Sequence, residues 1–467
     1  MVGLTPGFFI GLTVTLFIFL IVGVNTGRKV KNAADFYAGG SGASFILVAG
    51  GIIGTLVGGN STVGTAQLAF TNGLSAWWYT LGASLGCLIL GLVFTKPLRQ
   101  SQCITIQEII STEFGETAGI ISSVLTIIGI IINTVAQILA SNALISAVLG
   151  IRGIVCTVIT IIIMTCYVIF GGAKGASLLG VIKLVLIYFS VVIGGLLALK
   201  LGGGADNFYS ALEPSQFFNL FSRGIMKDSS SGLSVMLGVL SSQTYVQAVL
   251  SGRTCEEARK GAFFSAAIIP PIGILSIFIG MYMRINFPAM DPGAAFPAFI
   301  INNLPAVVSG IIIAALFITI VGSGAGMAIN FSSIAVNDIY IRFIAKNIKD
   351  KKIINVTRGC MLLSLIVPGL LTGGNLKSKI LTWGFLSMGL RAVVLFIPLC
   401  AALFYKGKVD KKYAIASGIL GVISMIISEV IKFPLDSLIV GMVTSLIVIL
   451  SGIHIAKEKT NVKKYLT

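Results

Sequence analysis

Residues Gly50–Gly64 read GGIIGTLVGGNSTVG. They sit in an apolar segment long enough to cross a bilayer, for which about 20 residues suffice. Yet Gly58, Gly59, Asn60, Ser61 and Thr62 fall in its middle. A plain anchor has no use for paired glycines and three polar side chains at mid-depth. Backbone leaves a helix there only where it is buried in protein or lines a cavity. Secondary transporters use such broken helices to hold solutes and ions. Small residues also serve close helix–helix contact, so the rest of the chain must decide between the two readings.

Of the 467 residues, 56% are hydrophobic and only 10% charged, against about 25% charged in soluble domains. The fold class read from this is an all-α polytopic membrane protein of about 13 transmembrane helices. The expected spans lie near 5–25, 44–72, 76–95, 117–150, 153–171, 176–200, 230–250, 259–284, 306–341, 355–373, 378–405, 412–432 and 436–456. The longest polar interval, Gly202–Ser231, is too short to build a soluble core. The first apolar run has no basic region before it, so it is expected to be a retained helix and not a cleaved signal.

A net charge of +17 would suggest a nucleic-acid partner in a soluble chain. Here basic loops explain it, and no nucleic acid is expected. Most of the 33 lysines and arginines lie in alternate loops beginning at Arg28. That asymmetry places the N-terminus outside, the C-terminus in the cytoplasm, and the chain in a cell membrane. The seven cysteines show no metal-site spacing, and no disulfides are expected. The one histidine, His454, ends the last span and reads as interfacial. The expected partners are the lipid bilayer and a small-molecule solute. No obligate protein partner is evident, and no resident cofactor is expected beyond Na⁺ or H⁺ as a coupling ion.

Trp77, Trp78 and Tyr79 open the third span, where an aromatic belt would place them. Thr105 and Glu108 read as a capping box on an amphipathic helix, Ile104–Phe114, along the membrane surface. The fourth span carries Asn133, Gln137 and Ser141 at steps of four, hence on one face. Such a face serves either interhelical hydrogen bonds or solute contact. Lys183 lies roughly 13 Å inside the sixth span, where insertion of a charge costs about 2.5–3.5 kcal/mol. It either has a role or snorkels to water.

The seventh span holds Gly232, Gly238, Ser241, Ser242, Gln243 and Gln247. It mirrors the second span five helices later, the mark of an inverted repeat. Pro270-Pro271 is expected to kink the eighth span. The ninth is rich in small and hydroxyl residues, among them Thr319 and Ser323, which either coordinate a cation or bond back to carbonyls one turn earlier. Trp383, Ser387 and Arg391 share a face of the eleventh span, and the last two spans look peripheral. No Asp or Glu falls deep in an expected span, which leaves Lys183 as the expected proton carrier.

The motifs DFYAGG, GLSAWWYTLG, TIQEIISTEFG, SQTYVQAVLSGRTCEEARKGAFFSAAIIPP and INFSSIAVNDIY resemble the solute:sodium symporter family along nearly the whole chain. The resemblance implies a LeuT-like fold with two inverted five-helix repeats, at 44–201 and 230–405. A first peripheral helix and cytoplasmic loop (1–43) precede them, an extracellular loop (202–229) joins them, and two peripheral helices with a basic tail (406–467) follow. It also implies alternating access around a mid-membrane site.

The family's sodium site maps onto the carbonyls of Gly54 and Val57 and the side chains of Thr319 and Ser323, with Gly322 where a hydroxyl residue is usual. A Thr-Asp pair of the family's fifth core helix is here Leu179-Gly180, and the Gln that follows it is Lys183. Gln247 matches a family Gln, but the Arg after it is Ala248. A lysine about 4 Å from a bound Na⁺ would repel it by about 4 kcal/mol at an effective dielectric of 20. Two readings stand: Lys183 replaces the ion, giving sodium-independent or proton-coupled transport, or a weakened sodium site persists. The family's solute positions map onto Asn60, Ser61, Thr62, Asn133, Gln137, Gln243, Gln247, Trp383, Ser387 and Arg391. An inward arginine suits a carboxylate, so an organic anion or amino acid is the favoured solute. Arg391 bonded to carbonyls of a broken helix is the competing reading.

Other classes fit less well. A channel needs a filter or charge ring. A membrane enzyme needs a catalytic cluster at depth. A sensor normally carries an attached cytoplasmic domain. None of these is visible in the sequence, so no enzyme activity is expected.

Overall fold

The computed structural model describes residues 4–27, 42–151, 153–344 and 350–466. The motif at 35–40 lies outside them. Among the described residues the backbone is helical almost throughout, and the one strand-like pairing is an isolated parallel bridge between Ala43 and Gly252. Helices keep their backbone hydrogen bonds internal, as a hydrocarbon surrounding requires. Nine of the described helices are long and apolar enough to cross a membrane, or ten with one bent pair. Pro6–Phe19, Phe45–Leu56 and Ile154–Tyr167 are shorter apolar helices.

Helix α1 (Pro6–Gly27) packs on the second repeat. The quoted stretch breaks as expected. Helix α2 (Phe45–Leu56) ends, Val57 turns extended, and the chain resumes as a π-turn at Asn60–Gly64 and α3 (Thr65–Asn72). Gly73, at φ +53, turns the chain where a side chain would strike the Phe217 carbonyl. Helices α4 (Trp78–Ile89) and α5 (Thr95–Gln100) then descend to α6 (Ile106–Phe114) and the long α7 (Glu116–Leu149). The capping box is present: Glu108 N donates to Thr105 Oγ1 at 2.9 Å, and Glu108 Oε2 accepts from Ile104 N at 2.7 Å.

The expected spans 153–171 and 176–200 form one continuous helix, α8 (Ile154–Leu201). It cannot be straight. Lys183 Nζ lies 5.8 Å from the Tyr167 ring centroid, whereas residues sixteen apart on a straight helix are separated by about 24 Å. The helix therefore bends between them, and its two parts cover the residues of the two expected spans.

After the short α9 (Ala205–Ala211) and α10 (Pro214–Phe217), the second repeat opens with α11 (Ile225–Leu240) and α12 (Gln243–Ser251). These two meet at a 45° bend, the expected counterpart of the first break. Then come α13 (Cys255–Asn286), α14 (Ala295–Asn303), α15 (Ala306–Ser333), α16 (Asp350–Gly373), α17 (Ile380–Phe404), α18 (Lys411–Val430) and α19 (Ser437–Leu466). Pro270 and Pro271 lie inside an unbroken α13. Pro270 cannot donate to the carbonyl four residues earlier, and Ser84 Oγ replaces it on Ala266 O at 2.6 Å.

Three details differ from the sequence reading. The aromatic triplet is not an interfacial belt. Trp77 Nε1 donates to Pro270 O at 3.0 Å and Trp78 Nε1 to Leu220 O at 2.8 Å, while Tyr79 is fully buried. A buried carboxylate exists after all. Asp228, in the first turn of α11, holds Ser75 Oγ at 2.7 Å and Arg223 Nε at 2.7 Å. It lay in a stretch too polar to be read as span. The last helices are not merely peripheral, since Asp436, just before α19, accepts from Ser230 Oγ of α11 at 2.5 Å.

On the basic face the two broken helices are joined by main chain. Gly42 N and Ala43 N donate to Ser251 O at 3.1 and 3.0 Å, and Arg253 N donates to Ala43 O at 2.8 Å. Arg99 Nη1 caps the end of α12 through Gly252 O at 2.6 Å. Glu257 accepts from Phe45 N at 2.6 Å.

Candidate functional site

Helix α7 presents Gly129, Asn133 and Gln137 at steps of four, so all three face the same way. Each meets a different part of the broken-helix machinery. Gln137 Oε1 accepts from Gly59 N at 3.0 Å, answering a main-chain donor freed by the first break. Asn133 Oδ1 accepts from Asn60 Nδ2 at 3.1 Å. Gly129 lets Arg391 pass, because a Cβ there would lie 2.7 Å from Arg391 Cγ. The Gly129 carbonyl accepts from Ser387 Oγ at 2.6 Å.

The first break is closely enclosed. A Cβ on Gly58 would lie 2.7 Å from Ser323 Oγ and 3.0 Å from Gln137 Oε1. Ser61 Oγ and Thr62 Oγ1 turn inward on Gly58 O at 3.1 and 2.9 Å. Asn60 also donates to the Tyr79 hydroxyl at 3.1 Å, and its own Oδ1 is buried without a partner. Leaving such an acceptor unpaired costs about 1–3 kcal/mol. Phe385 of α17 stacks beside Tyr79 with centroids 5.8 Å apart.

The second break carries charge. Arg391 is 2% exposed. Its Nη1 donates to Ser242 Oγ at 2.7 Å, its Nη2 to Ser387 Oγ at 3.0 Å and its Nε to Ser387 O at 3.2 Å. Nη2 also approaches Met388 Sδ at 3.3 Å. All four partners are neutral.

The residues matched to an ion site are near one another but altered. Ser323 Oγ reaches Gly54 O at 3.4 Å, and Thr319 Oγ1 is bonded back to Ala315 O at 2.7 Å. Val57 ends α2 with its N–H on Ile53 O at 2.7 Å. Lys183, 3% exposed, lies against Gly322. A Cβ on Gly322 would come well under 3.0 Å from Lys183 Nζ and 3.3 Å from the Tyr167 hydroxyl. The ammonium thus occupies the space in which a hydroxyl side chain at 322 would begin.

Other expected positions lie elsewhere. Gln243 gives its whole amide to the main chain around α6, accepting from Ile106 N at 2.9 Å and donating to Ile104 O at 3.0 Å. Gln247 is one turn further along α12 and half-buried. Trp383 donates to Ser378 Oγ at 2.7 Å near the start of α17. Ser141 pairs with Thr160 at 2.9 Å and braces α7 on α8. Tyr79, Ser242 and Gly129 enter the site without having been singled out as solute contacts. Only the glycine had a signal, its place four residues before Asn133.

A bundle that is helical almost throughout its described residues, with two broken helices, is an arrangement that secondary transporters use. The sodium:solute symporter family model matches residues 36–421, and the chain belongs to that family. Its fold is LeuT-like. A Na⁺-coupled sialic acid symporter in a substrate-bound outward-open state superposes with a TM-score of 0.79 at 20% identity, covering 97% of this chain and 98% of that one. A nucleobase-cation-symport-1 family transporter in a closed conformation gives 0.60 at 11% identity, covering 92% and 96%. A manganese transporter of Eremococcus coleocola gives 0.51 at 15% identity, covering 94% and 100%. The protein is a membrane-embedded transporter of a small solute and not an enzyme.

Proposed function

We propose that this carrier takes up a small organic anion or amino acid by alternating access, without Na⁺, and with the ammonium of Lys183 standing where the ion would bind. The observation that carries this is the position of Lys183 Nζ against Gly322, in the space that a side chain at 322 would enter. A cation site needs several oxygen ligands. Here one position has no side-chain oxygen, one hydroxyl is turned back on its own helix, and the Lys183 amine lies against Gly322, the neighbour of the third. The same lysine is the candidate proton carrier. Arg391 supports an anionic solute, because its charge meets only neutral groups. Asn60 Oδ1, lacking a partner, supports a solute with a hydroxyl or amino donor. Basic loops support a cytoplasmic position for the face with Arg99 and Arg253.

The persistence of Ser323 Oγ beside Gly54 O favours the alternative, a weakened sodium symporter. Thermal stability in Na⁺ against choline at constant ionic strength separates the two, since a ligand that binds only the folded state stabilises it. Wild type is expected to ignore Na⁺, and K183Q combined with G322S is expected to gain a Na⁺-dependent shift. Stabilisation of wild type by millimolar Na⁺ would show that the ion still binds and that Lys183 is structural.

A further inference from the structure

Two glutamines, one in each repeat, make the same unusual contact. Gln67 of α3 is 9% exposed, and its Oε1 accepts from Ile380 N, the first N–H of α17, at 2.8 Å. Gln243 of α12 is 4% exposed, and its Oε1 accepts from Ile106 N, the first N–H of α6, at 2.9 Å. Each glutamine lies on the segment that follows a break. Each takes a helix-start donor that would otherwise have no partner. They lie at opposite faces: Gln243 beside the basic face, Gln67 beside the face that holds Gly73 and Asp228.

The contacts join two bodies. Helices α2, α5, α12 and α13 are tied together by the Ala43–Gly252 bridge, Arg99 and Glu257. At the other face Asp228 ties α11 to Ser75. Against these stands a frame centred on α7. Helix α6 is fixed to it by Gln107 Nε2 on Thr126 Oγ1 at 3.2 Å, and α17 by Ser387 on Gly129 O. Between the two faces, Gly59–Gln137 and Asn60–Asn133 join the bodies near the middle. A pivot at mid-depth with one glutamine clasp toward each end is the arrangement of a lever closed at both ends.

We propose that Gln67 and Gln243 are the two gate latches of the transport cycle, each positioning a helix start of the frame against a broken helix, so that releasing one opens the carrier on that latch's face alone. This rests on the alternating-access reading above. Releasing Gln243 also requires parting Thr244 from Asn330, which meet at 2.5 Å.

Spin–spin distances in liposomes test it with no solute added. Labels on introduced keto amino acids leave the native cysteines in place. One pair spans the basic face at positions 112 and 253, the other the opposite face at 287 and 376, all exposed. Q243L is expected to lengthen only the 112–253 distance, and Q67L only the 287–376 distance. Q67L should raise its face's open-to-closed ratio about five-fold, the value of one buried hydrogen bond, and Q243L should raise its own by more, because two are lost. Q67E, which keeps the acceptor, is expected to stay at the wild-type distribution. Unchanged distances in both leucine variants, or a Q67E as open as Q67L, overturn the latches and leave transport standing. Both distances lengthening together in one variant would instead mean a continuous pore, and would overturn alternating access as well.

Discussion

The two breaks occupy matching places in the two repeats, yet they are stabilised by different means. At the first, neutral groups answer the freed backbone: Gln137 takes Gly59 N, while Ser61 and Thr62 close on Gly58 O. At the second, local hydroxyls bond back, Ser241 to Leu237 O at 2.9 Å and Ser242 to Gly238 O at 2.6 Å, and a full charge arrives from α17 through Arg391. The first break keeps an unused acceptor, Asn60 Oδ1; the second keeps an unneutralised cation. Inverted repetition supplies two similar gaps in two helices. The side chains reaching in from α7 and α17 then line one gap with neutral amides and bring a guanidinium to the other.

Three measurements would sharpen or break this contrast. The largest effect is expected for R391Q, which keeps a donor toward Ser242 but removes the charge. Uptake of a panel of labelled carboxylates into proteoliposomes should fall about 100-fold, as loss of a charge-assisted pair worth about 3 kcal/mol requires. Uptake of an anion at wild-type affinity would remove the charge role from the second break. Next, Q137L orphans Gly59 N–H without touching the second break. It should lower stability by about 1–2 kcal/mol, read as a drop in thermal midpoint. The smallest effect is expected for S242A, at about 1 kcal/mol or less, because Arg391 retains both Ser387 contacts. If S242A proved costlier than Q137L, the second break would depend on its hydroxyl more than on the guanidinium, and the contrast would fail.

Much of this was legible in the chain. The paired glycines with Asn60 pointed to the first break once the rest of the chain weighed against a plain helix–helix contact. The spacing of Asn133 and Gln137 announced the polar face of α7, and Thr105 with Glu108 announced the start of α6. What escaped had physical reasons. Tyr79 belongs to an aromatic triplet that looks like an interfacial belt until its hydroxyl is seen on Asn60. Asp228 sits among loop-like residues, and only the fold shows that Arg223 and Ser75 bury it. Gln243 stands beside the second break in sequence, but its side chain points to α6 and not to the site. Sequence spacing fixes which residues share a helix face. It does not say which neighbour that face will meet.

The clasp between Ala43 and Gly252 is built from amides and carbonyls that every residue except proline carries. Side-chain truncation at residues 43, 251 and 253 would therefore pass over it in silence, and drift in the identities of those three residues would cost it little. Proline at 253 is the change that would delete its Arg253 donor. The joint that couples the two broken helices thus asks for little residue code beyond its two glycines, Gly42 at φ +116° and Gly252 packed against Ala258.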